Sequence, residues 1–494
     1  MKRILLFIST LFVLLVAILA FNTLTLKSRQ LTTGANAPLQ LPVDENAVQH
    51  LSNAIQINTV SYADSLKMAE GQPRFDSLIQ FLKTTYPLVF SSLSDTIIDH
   101  RNILLKWQGT ETMAPAILYA HMDVVPVEQS TLTQWKHAPF SGEIADGYIW
   151  GRGALDDKGS LISVLEAVTR CLHKGFKPKR TIYIASGSDE ELGGNSGAGS
   201  IAQYCRENNL HFSFYLDEGL IVTQGVVPGI KKDVALIGTA EKGYATVELT
   251  VDMPGGHSSK PQKETALDVL VNAVKKVHDN PFEKIFSPAT EQFIDYVGPE
   301  MGMPLKMVFA NQWLLKSVVL GEYAKTDAGN ALVRTTGVVT VMNAGFKDNV
   351  IPTKVNAKIN FRILPGQTVA DVVKHVKEVI NDNRVQVALN ENSEPSGTTS
   401  ANSWGFKALQ KTASEVFPDA IVAPSLMIGA TDSKHFQKLT DATYRFFPTR
   451  MDNEAIGSIH GINERIKISG FMETIKFYET LLNNLQTFSD ENRK

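Results

Sequence analysis

Three short apolar runs constrain this chain more than any other feature, because each one stops at a histidine or an acid. "AILYA" (116–120) runs into "HMDVVPV", with His121 and Asp123. "TIYIAS" (181–186) runs into Asp189, Glu190 and Glu191. "FSFYL" (212–216) runs into Asp217. All three have the length of strands. Between the first two, Leu161, Val164, Leu165, Val168 and Leu172 recur at helical spacing, and Gly175 closes that helix. Strands alternating with helices predict an open α/β sheet with helices on its faces. In such sheets ligands bind beyond the carboxyl ends of the strands, and these polar groups all arrive at that edge. The loop "GRGALDDKGS" adds Asp156 and Asp157, and "SIHGINERI" near the C-terminus adds His460 and Glu464.

Any one of these residues alone reads as a turn or cap residue. Together they gather carboxylates that repel and raise one another's pKa, with Lys158 as the only nearby basic competitor, and a weak one. A bound cation explains the set. Imidazole and carboxylate donors without thiolate suit zinc, or manganese or cobalt.

Around residue 244 the texture changes. "YATVELTVDM" alternates at period two, "LDVLVNAVKKVHD" (267–279) is helical, "KVNAKINFRI" (354–363) alternates again, and "TVADVVKHVKEVI" (368–380) is a second amphipathic helix before "RVQVALN" (384–390). Half-exposed strands with two helices describe a small α+β layer domain. A chain of 494 residues exceeds one ordinary core. The reading is therefore a catalytic domain in two parts, 45–242 and 392–494, interrupted by an α+β lid over 243–391. Within the lid, the stretch from about 282 to 335 looks like extra lid material.

The net charge of −3 gives no reason to propose a nucleic-acid partner. Cys171 and Cys205 exclude a disulfide-rich scaffold; they either pair with each other or are two buried thiols. At the N-terminus, Lys2 and Arg3 precede an apolar run from Ile4 to Phe21. Eighteen helical residues span roughly 27 Å, close to the hydrocarbon thickness of a bilayer. Residues 1–24 are read as a signal anchor or a signal peptide. Ile18, two residues before Ala20, spoils a cleavage signal and favours the anchor. Either way the rest of the chain is extracytoplasmic. Residues 25–44 read as a polar linker.

The motifs "HMDVVPV", "GRGALDDKGS", "SDEELGG", "LDEG", "GGHSSKP", "DNVIP" and "IHGINERI", in this order, closely resemble the co-catalytic dizinc metallopeptidases of the aminoacylase and carboxypeptidase S type, a family that includes secreted enzymes making and cleaving N-acyl amino acids. The resemblance runs from about residue 50 to the end. It implies the fold of that family, a catalytic domain with a mixed central sheet flanked by helices, interrupted by a smaller lid or dimerisation domain. It implies two Zn2+ ions per chain bridged by Asp156, with His121 and Asp217 completing one site and Glu191 and His460 the other. Asp123 would hold the His121 imidazole, the Asp156–Asp157 peptide bond would be cis, and Glu190 would be the general base and acid. Asp189 has no assigned role beyond a turn or a supporting contact.

On the lid, the resemblance implies that His257 donates to the oxyanion, from a partner subunit in dimeric relatives, and that Asn349 and Arg362 bind the substrate's carboxylate. "GATDSKH" (429–435) resembles a segment that approaches the same carboxylate. The implied reaction is hydrolysis of N-acyl amino acids or of C-terminal peptide bonds, with the reverse condensation open to the same site. The partners are a small-molecule substrate and, for a monomer or a homodimer formed through the lid, a second copy. The alternatives are a dipeptidase or aminopeptidase of the same metal chemistry, and a non-catalytic metal-binding ectodomain.

Overall fold

The apolar runs that end in acids become neighbouring strands of one sheet. The computed structural model describes residues 1–31 and 37–488, so residues 32–36 of the expected linker lie outside the described residues. The sheet has eight strands, in the order Ser94–Ile98, Asn102–Trp107, Ile182–Ser186, Ala116–Tyr119, Phe214–Thr223, Thr443–Met451, Val234–Glu241 and Ile421–Met427. The four strands in the middle, Ile182–Ser186 through Thr443–Met451, are parallel. The two strands before them pair antiparallel, which makes the sheet mixed. Parallel strands are buried on both faces, and Ala116–Tyr119 and Ile182–Ser186 are buried along their whole length.

The helix Lys158–His173 covers one face with Leu161, Val164, Leu165 and Val168. On the other face Ala198, Ile201, Ala202 and Cys205 of the helix Ala198–Glu207 pack against Ile117, Tyr119 and Tyr215. Cys171 and Cys205 sit in these two separate cores, both buried and both free, which decides for two thiols.

One strand differs from the sequence reading. The run ending at Leu216 continues through Asp217 to Thr223. Its parallel partner Thr443–Met451 stays in register, with irregularities, as far as Thr223, so polar residues that looked like a loop are held in a ladder.

The second sheet has four antiparallel strands, Thr336–Asn343, Lys354–Ile363, Gly243–Asp252 and Val385–Ser393, in that order. Its buried face (Val247, Leu249, Val251, Val355, Ile359, Phe361) packs on Val269 and Leu270 of the helix Ala266–Asp279 and on Val372 and Val376 of the helix Val369–Ile380. Thr265 with Asp268, and Thr368 with Asp371, form a capping box at the start of each helix.

The stretch read as extra lid material lies elsewhere. Residues 288–333 form the helices Pro288–Val297, Met303–Ala310, Gln312–Tyr323 and Asp327–Val333. Phe293, Ile294, Val297, Val319 and Val333 join the core of the main sheet and take no part in the core of the lid. Pro288–Val297, the end of Gln312–Tyr323 and the end of Asp327–Val333 bury apolar residues there, and the lid sheet's own buried face is covered by its two helices. The polar linker is also less free than its composition suggests. The Gln30 side chain donates to the carbonyl of Val422 (3.0 Å) and accepts from its amide (2.8 Å), extending the hydrogen bonding of an edge strand. Arg29 pairs with Asp295 at 3.1 Å.

Candidate metal centre and substrate cleft

The strand Ala116–Tyr119 delivers His121 and Asp123 fully buried. His121 Nε2 lies 2.8 Å from Asp156 Oδ1. The other carboxylate oxygen, Asp156 Oδ2, lies 3.0 Å from His460 Nε2, which is itself 3.3 Å from Glu191 Oε1. Asp156 thus stands between two imidazoles, one from the edge of the sheet and one from a loop more than 300 residues further along the chain. The Asp156–Asp157 bond is cis. Among the described residues, two groups of donors are close enough together to hold an ion: His121 with Glu190 and Glu191, and Asp156 with Glu191 and His460.

Asp217 is buried but belongs to neither group. It accepts from the Tyr215 hydroxyl (3.1 Å) and the Glu218 amide (3.0 Å). Burial pushes its carboxyl up to about 7. Burial, reinforced by neighbouring carboxylates, also raises Glu190 and Glu218 well above the ordinary range. Burial would raise Asp156 too, but its contacts with His121 and His460 hold it below the usual value. In turn the hydrogen bonds to Asp156 and Glu191 push the His460 imidazole up to about 10.

Asp123 touches the His121 imidazole with both its backbone and its side chain. His121 Nδ1 meets the Asp123 carbonyl at 3.0 Å and its carboxylate at 3.4 Å. The carboxylate also accepts from the Ser61 hydroxyl and from the amides of Glu190 and Glu191. One buried acid therefore orients an imidazole and pins the turn that presents both glutamates. Asp189 closes that turn from behind, accepting from the amides of Ser196 and Gly197. Lys158 turns away from the cluster and donates to the carbonyls of Ala54 and Ile57.

The centre opens into a cleft of about 890 Å3 lined by Asp156, Glu190, Glu191, Glu218 and His460. Ile221, Phe447, Met451 and Ile459 give it an apolar wall, and Arg362 and Tyr244 of the lid sheet face into it. The Arg362 guanidinium lies 5.0 Å from the centre of the Tyr244 ring, a stacked geometry that leaves its donors for a ligand. His257 and Asn349 do not line the cleft in the single chain. They sit together on an exposed ribbon of the lid formed by Gly256–His257 and Val350–Ile351, where the Ser258 amide donates to the Asn349 carbonyl.

Sequence reasoning missed Glu218, hidden behind the premature strand end, and Asp432. Asp432 is fully buried, takes the Tyr119 hydroxyl at 2.5 Å and is pushed up to about 8 by burial. It lies within the quoted motif "GATDSKH", so the motif was visible while the residue's burial was not.

The matching family model is that of peptidase family M20/M25/M40, over residues 117–484. The chain belongs to this family. It is therefore an enzyme, a metallopeptidase or amidohydrolase. A probable carboxypeptidase S-like protein of Dictyostelium discoideum is 41% identical over 449 residues, covering 90% of this chain and 86% of the relative. An N-fatty-acyl-amino acid synthase/hydrolase of Xenopus tropicalis is 37% identical over 484 residues, covering 96% and 93%. Among solved structures, an M20 family metallo-carboxypeptidase from Sulfolobus solfataricus shares the fold with a TM-score of 0.66 at 21% identity, over 90% of this chain and 100% of that one.

The residues of this M20 centre fit a metal pair. Among the described residues, buried Glu191 Oε1 has only its long 3.3 Å contact with the His460 imidazole, and buried Asp157 Oδ1 has no partner in good hydrogen-bond geometry. Lone carboxylate oxygens inside a protein are costly without a cation. A divalent ion held by Asp156, Glu191 and His460 would balance the charge that these carboxylates bring together.

Proposed function

We propose that the protein is a zinc-dependent hydrolase of N-acyl amino acids, held at a membrane by its N-terminal helix with the catalytic domain on the extracytoplasmic side. The observation that carries the substrate reading is the pairing inside one cleft of Arg362, suited to a carboxylate, with an apolar wall of Ile221, Phe447, Met451 and Ile459. The name of the Xenopus tropicalis relative supports the same substrate class. His121, Asp156, Asp217, Glu191 and His460 are the ligands in this reading, with Asp156 shared. Imidazole and carboxylate donors suit Zn2+.

The metal pair, when bound, supplies Lewis acidity and a water of lowered pKa. The other steps belong to this chain's side chains. Glu190, with its amide fixed on Asp123 Oδ1 at 3.1 Å, takes a proton from the attacking water and returns it to the departing amine. Arg362 binds the carboxylate of the amino-acid half and sets the amide against Glu190. The apolar wall takes the acyl chain. His257, exposed on the lid ribbon, meets the oxyanion by lid movement or from a second copy bound through the lid.

Residues 2–25 form one helix, and its most apolar stretch of eighteen residues has a mean hydropathy of 3.1. Its last turn is fastened to the catalytic domain by polar groups, because Asn22 donates to buried Asn311 at 2.9 Å. Cleavage near Ala20 would strip Asn311 of its contact with Leu19, so this fastening supports a retained anchor.

The experiment is a comparison of N-lauroyl-phenylalanine and N-acetyl-leucine with Leu-amide, together with metal analysis before and after chelation. The expected result is cleavage of the acylated substrates, about two zinc ions per chain, and loss of activity on chelation restored by zinc. Turnover of Leu-amide with none of the acylated substrates would replace this reading with an aminopeptidase.

A further inference from the structure

The helices Met303–Ala310 and Gln312–Tyr323 carry an apolar surface that neither the catalytic core nor the lid covers. Met303, Leu305, Met307, Trp313, Leu314 and Val318 are each between 40% and 61% exposed, all within sixteen residues. Contiguous exposed apolar patches of this kind are rare on soluble proteins and mark binding surfaces.

The position of this patch relative to the N-terminal helix says what covers it. Asn311, at the junction of the two helices, is fully buried. Its Nδ2 donates to the Leu19 carbonyl at 3.2 Å and to Met307 of its own helix at 2.8 Å, and its Oδ1 receives Asn22. Thr23 beside it is buried as well. Leu19 and Asn22 lie at the end of the apolar run Ile4–Phe21. If that run spans a bilayer, this end of it emerges at the lipid surface, and whatever is hydrogen-bonded there lies at the same depth. The rest of the helix, Met1 to Phe21, touches little else of the protein.

We infer that the two helices form a monotopic platform that rests in the outer surface of the bilayer beside the anchor, with Met303, Leu305, Met307, Trp313, Leu314 and Val318 in the headgroup–acyl boundary. An exposed tryptophan is the residue type enriched there. Lys306 in the same stretch suits the phosphate level above it. The platform also adjoins the hairpin that leaves the cleft wall. The strand carrying Ile221 turns back after Thr223, and a Cβ at Gly229 of that turn would lie 2.4 Å from Leu305. The platform thereby fixes the cleft's height above a lipid surface, from which acylated substrates partition.

This inference rests on the anchored reading, and its test separates the two. The full-length chain is reconstituted into phosphatidylcholine–phosphatidylglycerol vesicles. Flotation in alkaline carbonate reports anchoring. Tryptophan quenching by lipids brominated near the head of the acyl chain reports the platform. Trp107, Trp135 and Trp150 are buried, and Trp404 is half-buried beneath the Arg180 guanidinium, so quenching is expected in the wild type and is expected to fall in Trp313→Phe to the small residue left by Trp404, with hydrolysis of N-acetyl-leucine unchanged as proof of folding. A chain that floats but shows no quenching, or equal quenching in Trp313→Phe, overturns the platform and leaves the anchor standing. A chain that fails to float overturns both. Cross-linking of Leu314→Cys to a second copy in vesicles, without quenching, assigns the surface to self-association and also overturns the platform.

Discussion

Arg152 and Glu464 form a buried ion pair at 2.5 Å that ties together the two loops carrying Asp156 and His460. Glu464 Oε1 accepts from the amides of Gly153, Leu155 and Asp156. Arg152 donates to the carbonyls of His460 and Gly461. Each residue of the pair thus holds the other's loop, and His460 is kept at a left-handed φ of 58° that side chains other than glycine seldom adopt.

Breaking this pair should loosen the centre before it unfolds the protein. Glu464→Ala leaves Arg152 buried without its partner and frees three amides, at about 3–5 kcal/mol. Metal affinity should fall about 10- to 100-fold, as for the outer contacts of other metal sites. Thermal unfolding and zinc titration measure the two effects. Wild-type zinc affinity in Glu464→Gln, which keeps the shape and removes the charge, would show that the ion pair does not position Asp156.

Glu190 and Glu191 are adjacent, and the proposed mechanism gives them different work. Glu190→Gln should keep about two metals per chain and lower kcat by about 10²- to 10⁴-fold, the usual worth of a positioned acid–base. Glu191→Gln should lose metal first. Equal metal content and equal rates in the two variants would remove the distinction.

Arg362 reaches the cleft from the lid. Arg362→Ala should raise KM for N-acyl amino acids by about tenfold or more, and much less for the matching N-acyl amino amides, because only the former present a carboxylate. Equal effects on both series would show that Arg362 shapes the lid and does not bind substrate.

Burial pushes the Cys171 thiol up to about 11 and Cys205 up to about 12. Both are neutral thiols in the folded chain at pH 8, so a thiol-specific reagent should label none in the native protein and two after denaturation. Because the folded values lie above those of the unfolded chain, this contribution to stability is complete below about pH 9 and is lost as pH rises towards 11. Labelling of either cysteine in the native protein would mean that its helix opens.

The candidate centre was legible where chemistry follows local pattern. His121 and Asp123 follow a short apolar run whose strand does end there, and a strand end is a local property; Asp217 follows such a run too, but its strand continues to Thr223 on a pairing that the local pattern does not show. Residues 266–279 and 369–380 were legible as helices because apolar side chains recur at their period. Helices 288–333 were assigned to the wrong neighbour because periodicity shows that a face is buried and does not name the surface that buries it.

What the sequence by itself determined was the alternation of strands and helices, the edge at which the polar groups gather, and the apolar N-terminal run. Those depend on spacing within a few residues. Only the tertiary structure decided that Arg152 clamps Glu464, that Asp432 is buried against Tyr119, that His257 lies away from the cleft of its own chain, and that the end of the N-terminal helix is hydrogen-bonded at Asn311, beside exposed apolar residues of two later helices. Each of these joins segments distant along the chain, and their meeting is set by the competition among all apolar faces for burial, which no short stretch of sequence encodes.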